Sequence, residues 1–276
     1  MNAAPRTARL GLALGGGAAL GAAHAGVLQV LDEAGVECTV VAGTSAGALI
    51  GGGYAAGLTG AQLTDLVLSA GWSTFAQWRL SPRWGLLDTS PLERSIEQQV
   101  GARRIEELER RFGALAFDLR AREPVLLASG SLATALRASS AVPGLFPPVR
   151  VDDRLLVDGA LADNLPVWAA RQLGADLVIA VSVDNGAASR VTTRLLDTLI
   201  PARDRQRRDL RRAATPDVLI RPDTRGLSRW TASDVPRLVE AGRIAVESSL
   251  EDIYRLARAA QSRPLPEVRR MDQTTA

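Results

Sequence analysis

Lysine is absent from this sequence, and all 33 of its basic residues are arginine. That absence excludes a lysine nucleophile, a Schiff-base lysine and a phosphate-binding P-loop lysine anywhere in the chain. A single cysteine, Cys38, excludes an intrachain disulfide and a cysteine cluster for a metal ion. Cys38 lies in a predicted buried strand, so we interpret it as a core side chain rather than a reactive thiol.

Net charge and long apolar runs are also limited. The formal charge of +3 does not predict a nucleic-acid partner. No apolar run approaches the roughly 20 residues of a membrane-spanning helix. With 46% hydrophobic and 23% charged residues, the composition is that of a globular protein. We expect one domain over residues 9–260, between flexible ends at 1–8 and 261–276.

The N-terminal stretch permits two interpretations. Arg6 and Arg9 precede a Leu/Ala/Gly-rich segment ending in Ala22-Ala23-His24-Ala25, a pattern that could pass for a secretory signal peptide. Three glycines at 15–17 would weaken the helix that such a peptide needs. We therefore expect a mature cytoplasmic protein, and we leave open a peripheral contact with the inner membrane.

The most informative stretch is the turn Gly43-Thr44-Ser45-Ala46-Gly47. It joins the apolar run 38–42, a predicted strand, to a helix that begins at Ala46. Strand, tight turn and helix with serine at the apex form the nucleophile elbow of serine hydrolases. Gly43 and Gly47 lack side chains where strand and helix must pass closely. Ser45 is then expected to project above the sheet at a helix N-terminus.

A glycine-rich turn also follows the first predicted strand, Leu10-Gly11-Leu12-Ala13-Leu14. Gly15-Gly16-Gly17 interrupts this strand, and helical periodicity then continues to a predicted cap at Gly35. The backbone N–H groups of such a turn form a nest for an anion. A dinucleotide fingerprint does not fit, because Ala18 or Leu20 replaces a required glycine and no carboxylate ends the next strand.

Strands alternate with helices along the whole chain, which predicts an α/β three-layer sandwich with a mostly parallel central sheet. Further strands are predicted at 115–119, 125–128, 155–157, 177–183 and 218–220. Further helices are predicted at 61–70, 91–100, 104–111, 131–139, 166–173 and 235–260. The insert 72–84 contains three tryptophans and is either core filling or an apolar lid over Ser45. The arginine-rich segment 203–212 is either a solvated helix face or a contact with anionic lipid.

The sequence has no histidine after Ser45 that could activate this serine as in an α/β-hydrolase. The triad of α/β-hydrolases has its histidine after the serine, whereas the one histidine here, His24, precedes Ser45. We assign His24 a structural hydrogen bond. Among the carboxylates Asp158 is best placed, since it ends a strand and Gly159 permits a close approach to another loop. Asp152, Asp153 and Asp163 lie in polar loop contexts and are weaker candidates.

Together, Gly15-Gly16-Gly17, the serine turn and Asp158-Gly159-Ala160 resemble the patatin-like phospholipase family. The segments 138–143 and 146–148 and Asn164-Leu165-Pro166 also resemble its bacterial members, so the resemblance covers roughly residues 9–250. It implies a Ser45–Asp158 dyad, without a metal ion or organic cofactor. It further implies an oxyanion hole formed by the backbone amides of Gly15, Gly16, Gly17 and Ala18. The glycines that support the elbow and the dyad would be Gly43, Gly47 and Gly159.

This resemblance implies a serine hydrolase that cleaves acyl esters of lipids through an acyl-enzyme. The alternatives are a non-catalytic lipid- or protein-binding module on the same fold, and an acyltransferase. Family members commonly carry glycine and arginine where this chain has Ala18 and Leu20. Because Leu20 removes a cation that could hold a phosphate, we expect neutral acyl esters or small lysolipids to be preferred over anionic phospholipids. Leu20→Arg is expected to shift that preference towards phospholipid.

Overall fold

The computed structural model describes residues 8–69, 77–80, 87–183, 214–229 and 231–262, with the backbone alone at 77–80, 87–88 and 260–262. Its strands are β1 (Leu10–Leu14), β2 (Val40–Thr44), β3 (Gln77–Leu80), β4 (Leu87–Asp88), β5 (Arg111–Asp118), β6 (Glu123–Leu127), β7 (Val149–Val151), β8 (Arg154–Asp158), β9 (Leu177–Val181) and β10 (Val218–Ile220). Its helices are α1 (Ala22–Glu33), α2 (Ala46–Ala55), α3 (Gly60–Ser69), α4 (Ser90–Val100), α5 (Leu132–Ser139), α6 (Val167–Gln172), α7 (Val235–Glu247) and α8 (Leu250–Ser262).

A central sheet organises the described chain. Its strand order is β10-β9-β1-β2-β5-β8-β7, with β6 also paired to β5. The pairs from β10 to β5 are parallel, and those that involve β6, β7 and β8 are antiparallel. Leu12 and Leu14 of β1 pack in the larger core with α1 and α2, whereas Ala13 packs on the opposite face with α6. The predicted sandwich with a mostly parallel sheet is confirmed.

Two strands converge on one edge of β5. Because β6 occupies one edge of β5 over 114–118, β2 and β8 must pair along the other edge. β2 runs parallel to β5 and brings Thr44 opposite Leu115, while β8 runs antiparallel and brings Asp158 opposite Ala116. The C-terminal ends of β2 and β8 therefore meet at neighbouring positions of β5, and both strands deliver the residues that follow them to the same place.

The predicted helix 104–111 is wrong. The structure has only a 3-10 turn at Ile105–Glu107, and β5 begins at Arg111. Arg111 is paired with Val40 in the parallel sheet. Pairing with a distant strand thus overrides the local helical pattern, which is a weak determinant by itself.

The single closing helix predicted at 235–260 is also wrong, because the structure has two helices, α7 and α8. The hydroxyls of Ser248 and Ser249 both donate hydrogen bonds to the carbonyl of Ala245, at 2.9 and 3.0 Å. Such side-chain bonds compete with the backbone ladder of a helix. They account for the break between Glu247 and Leu250.

Several sequence predictions fall on segments at the margin of the described chain. Trp78 belongs to β3, which forms an antiparallel hairpin with β4. Trp72, Trp84 and the segment 203–212 lie outside the described residues, and the domain bounds 9–260 stay a prediction. Of the helices described, none combines the length and the apolar character needed to cross a membrane.

Candidate active site

Ser45 occupies the tight turn between β2 and α2. Its φ of 52° and ψ of −121° place a residue with a side chain in a backbone region that costs about 1–3 kcal/mol. A Cβ added to Gly43 would lie 2.5 Å from the backbone nitrogen of Ala48. One added to Gly47 would lie 2.2 Å from the carbonyl oxygen of Leu14. Both positions therefore need glycine for strand, turn and helix to approach this closely.

Ser139 binds the backbone of the strained turn through its hydroxyl. The N–H of Ser45 donates to Ser139 Oγ at 3.0 Å, and this hydroxyl donates to the carbonyl of Leu115 at 2.6 Å. Ser139 is fully buried at the end of α5, so the bridge ties the turn to β5. Nothing in the local sequence pattern around Ser139 indicates this contact.

Asp158 ends β8 beside the serine turn and is 4% exposed. Its carboxylate accepts a hydrogen bond from the N–H of Ala160, at 2.8 Å, and lies close enough to the Ser45 side chain to interact with it. Burial raises the pKa of the Asp158 carboxyl to about 6, and the interactions with Ala160 and Ser45 lower it by less than burial raises it. A Cβ added to Gly159 would lie 2.2 Å from the Leu115 carbonyl oxygen, so glycine is needed here too. The geometry thus places a serine side chain beside a carboxylate that is ionised at neutral pH.

The glycine turn after β1 lies against Ser45. A Cβ added to Gly16 would lie 3.2 Å from the Cβ of Ser45. The N–H groups of Gly15 and Gly16 donate to the carbonyls of Val181 and Asn164, each at 3.0 Å. Two of the four amides predicted for an oxyanion hole are therefore already hydrogen-bonded to backbone carbonyls. The amides of Gly17 and Ala18 remain as candidate donors.

The amides of Gly17 and Ala18 differ from those of Gly15 and Gly16 in their hydrogen bonding. Within the described residues, the N–H groups of Gly17 and Ala18 have no hydrogen-bond acceptor. Ala18 has a φ of 52°, so this alanine occupies a left-handed position that favours glycine, the residue that family members commonly carry there. Ala18 also lines the pocket described below.

His24 supports the glycine turn from the core. It is fully buried, and its Nε2–H donates to the carbonyl of Gly15 at 2.7 Å. Burial lowers the pKa of the His24 imidazole to about 4, although the bond to Gly15 raises it, so the ring is neutral at pH 7. The predicted structural hydrogen bond is confirmed. Burial likewise raises the pKa of the Cys38 thiol to about 12, which confirms Cys38 as a core side chain.

The weaker carboxylate candidates have other surroundings. Asp152 and Asp153 are exposed in the turn between β7 and β8. Asp163 is buried, and its Oδ1 accepts the N–H of Leu165 at 3.1 Å. Its backbone carbonyl accepts the hydroxyl of Thr44 at 3.2 Å. Asp163 thus joins the loop after β8 to the serine turn.

An apolar pocket of about 160 Å³ opens beside Ser45. In the part of the chain that the structure describes, no charged side chain lines it, and its hydroxyls are those of Ser45 and Ser140. Its apolar walls include Leu49, Ile50, Val67, Leu92 and Phe146. The pocket therefore fits a hydrocarbon chain whose reacting end lies at Ser45.

Leu20 does not contribute to this pocket. Its side chain is fully buried and packs in the core with α1. The predicted effect of Leu20→Arg on headgroup preference is therefore wrong, because an arginine here would enter the core rather than face a headgroup.

The fold and the site define a class of α/β protein with a serine at a strand–helix elbow and a buried carboxylate at the end of a neighbouring strand. A family profile described as "Patatin-like phospholipase" matches residues 12–171. The chain belongs to the patatin-like phospholipase family.

Curated relatives agree with this membership. An uncharacterized NTE family protein of Mycobacterium tuberculosis is 38% identical over 188 residues, which cover 65% of this chain and 50% of that protein. A lysophospholipase of Aspergillus fumigatus is 32% identical over 179 residues, covering 63% of this chain and 12% of that protein. The chain thus spans about half the length, or less, of these two relatives.

Two bacterial structures share the fold. VipD from Legionella pneumophila has a TM-score of 0.54 and 16% identity, over 90% of this chain and 67% of that one. The type III effector protein ExoU has a TM-score of 0.50 and 16% identity, over 90% of this chain and 54% of that one. At this identity the two likenesses describe the fold alone.

Proposed function

We propose that this protein hydrolyses acyl esters of lipids, with Ser45 as nucleophile and Asp158 as general base. The observation that carries the proposal is the proximity of the Ser45 side chain to the buried Asp158 carboxylate, at one end of an apolar pocket. A relative named as a lysophospholipase supports the same class of substrate. Peripheral contact with a lipid surface, where such substrates reside, belongs to the proposal.

In the proposed reaction, Asp158 accepts the Ser45 hydroxyl proton while Ser45 Oγ attacks the ester carbonyl. The tetrahedral oxyanion accepts hydrogen bonds from the N–H groups of Gly17 and Ala18, and each such donor is worth about 3 kcal/mol. As the intermediate collapses, Asp158 returns the proton to the leaving alcohol. Asp158 then takes a proton from a water that attacks the acyl-enzyme. It passes this proton to Ser45 Oγ as the ester bond to the serine breaks and the fatty acid is released.

The pocket defines the part of the substrate that is bound. Its walls are uncharged over the described residues, so it stabilises hydrocarbon and provides no partner for a phosphate. We therefore propose that neutral acyl esters and lysolipids with small headgroups are hydrolysed faster than anionic diacyl phospholipids.

Mutation of the dyad tests the proposal. Ser45→Ala and Asp158→Asn are each expected to lower kcat by at least about 10³-fold, because nucleophile and base act as one unit. Turnover of a neutral monoacyl ester and labelling by a fluorophosphonate are measured for the wild type and both variants. Ser69→Ala, which removes an exposed hydroxyl at the end of α3, is the control.

The outcomes separate the alternatives. A non-catalytic module would neither turn over ester nor react with the fluorophosphonate. An acyltransferase would react at Ser45 but release product only with an added acceptor alcohol. Retention of most activity by Ser45→Ala would contradict the proposed nucleophile.

A further inference from the structure

We infer that Asn164 is a positioning residue for the oxyanion hole, because its side chain sets the direction in which the N–H of Gly17 points. The inference rests on the proposed function, in which that N–H binds the oxyanion formed at Ser45. Asn164 belongs to the loop that follows Asp158, and its side chain contacts the glycine turn, which lies 148 residues earlier in the chain.

Asn164 binds both backbone polar groups of Gly16, the N–H and the carbonyl. The backbone carbonyl of Asn164 accepts the N–H of Gly16 at 3.0 Å. The side-chain Nδ2 of Asn164 donates to the carbonyl of Gly16 at 3.1 Å. A Cβ added to Gly16 would lie 2.6 Å from Asn164 Oδ1, so only glycine admits this clamp.

The clamp determines the orientation of the next peptide group. The carbonyl of Gly16 and the N–H of Gly17 belong to one planar trans peptide, in which they point in opposite directions. Since the Gly16 carbonyl faces the Asn164 side chain, the Gly17 N–H must face away from it. Among the described residues this N–H meets no acceptor. It is therefore the first amide of the turn that can donate to a substrate.

The preceding peptide groups are fixed as well. The carbonyl of Gly15 accepts from His24 Nε2–H at 2.7 Å, and the N–H of Gly15 donates to Val181 at 3.0 Å. The Asn164 side chain is thus the partner that fixes the last carbonyl before the proposed donor. Because the same loop binds Thr44 through Asp163 and begins at Asp158, it sets base, nucleophile and oxyanion donor relative to one another.

Asn164→Asp is the sharpest test. It keeps the size of the side chain but replaces the N–H donor with an oxygen that repels the Gly16 carbonyl. We expect kcat for a neutral monoacyl ester to fall between about tenfold and about a hundredfold, with KM within about threefold, since misplacing a group by about 1 Å can cost about a hundredfold. Asn164→Ala, which removes the donor without adding charge, should lower kcat in the same range.

A structural readout accompanies the kinetics. In ¹⁵N-labelled protein, both variants should shift the amide resonances of Gly16 and Gly17, which are assigned by triple-resonance experiments on the wild type. Tyr54→Phe is the matched control, because it removes a different, partly buried hydrogen bond, from the Tyr54 hydroxyl to Asp32 at 2.7 Å. This control should lose thermal stability with kcat within about twofold of the wild type.

Each outcome bears on the inference. Unchanged kcat in both Asn164 variants, or unshifted glycine resonances, would overturn it. An equal loss of kcat in Tyr54→Phe would show that lower stability alone explains the effect, and would also overturn it. A wild type without esterase activity would instead contradict the proposed function, and the resonances would then decide whether the clamp exists.

Discussion

At the scale of single residues, the site combines backbone strain with a buried acid. Ser45 and Ala18 both adopt a φ of 52°, and Asp158 is buried with its pKa raised to about 6. A left-handed conformation costs a residue with a side chain about 1–2 kcal/mol. Such costs are tolerated where function requires them, and both the serine turn and the carboxylate that we propose to react carry one.

The pKa of Asp158 predicts how activity depends on pH. Only the ionised carboxylate can accept the Ser45 proton, and burial raises its pKa to about 6. We therefore expect kcat/KM to rise tenfold per pH unit below about pH 6 and to level off above it. Initial rates with a neutral, non-ionising ester, measured from about two pH units below the inflection to about two units above it, would give the profile.

His24 offers the control for this profile. Its imidazole has a pKa of about 4 and contacts the Gly15 carbonyl rather than the dyad. If the inflection near pH 6 belonged to a histidine, His24→Asn would remove it, which would contradict Asp158 as the base. If the inflection stays near pH 6 while the maximal rate falls, the assignment to Asp158 holds.

At the scale of secondary-structure elements, α1 and α7 cross at unusually short backbone distance. A Cβ added to Gly26 of α1 would lie 2.0 Å from the carbonyl oxygen of Val239. One added to Gly242 of α7 would lie 2.0 Å from the carbonyl oxygen of Ala23. α1 carries His24, and α7 carries Val235 of the pocket wall. The crossing therefore connects the C-terminal helices to the site.

Gly242→Ala tests this crossing. The added methyl meets backbone that cannot rotate away, so the free energy of unfolding should fall by about 1–3 kcal/mol despite the better helix propensity of alanine. Gly53→Ala in α2 is the matched control, since its added Cβ would meet the end of the Leu63 side chain at 2.9 Å. Chemical denaturation measures both. Equal stability of the two variants would show that the helices can separate freely.

At the scale of the whole molecule, the pocket exists only because distant segments meet. Leu49 comes from α2, Val67 from α3, Leu92 from α4 and Val235 from α7, while Phe146 belongs to a loop before β7. A buried cavity of about 150 Å³ in another protein holds benzene, a six-carbon ligand. The pocket here measures about 160 Å³, so it has room for a chain of similar size.

This volume predicts acyl-chain selectivity. Each methylene buried contributes about 0.8 kcal/mol, so kcat/KM should rise about fourfold per carbon up to about six carbons and then level off. p-Nitrophenyl esters from acetate to palmitate would measure the series. Val67→Ala should move the plateau to longer chains by enlarging the pocket.

Leu68→Ala controls for changes to α3 itself. Leu68 neighbours Val67 but is 49% exposed and does not line the pocket. Its removal should leave the chain-length profile unchanged. A rate that rises steadily to sixteen carbons in the wild type would show that chain length is not limited by these walls.

Local chemistry was enough to single out much of the site. The turn around Ser45, the glycine turn before α1 and the strand end at Asp158 each have a short pattern with a steric or electrostatic reason. The cap at Gly35 is confirmed by its φ of 66°, and the alternation of strands and helices predicted the sandwich. The family followed from the same motifs. These features depend on neighbours in the chain, which a sequence displays directly.

Only the tertiary structure decided how these parts meet. Ser139 reaches Ser45 across 94 residues and Asn164 reaches Gly16 across 148. Both residues lie in motif segments, but a motif does not show which distant residue each one contacts. The loss of the helix predicted at 104–111, where the structure has a 3-10 turn and then the start of β5, was decided in the same way. So were the burial of Leu20 and the hydrogen bonds of the Gly15 and Gly16 amides. In each case a backbone group or side chain found its partner in a distant segment, because burial requires polar groups to be paired and apolar ones to be covered.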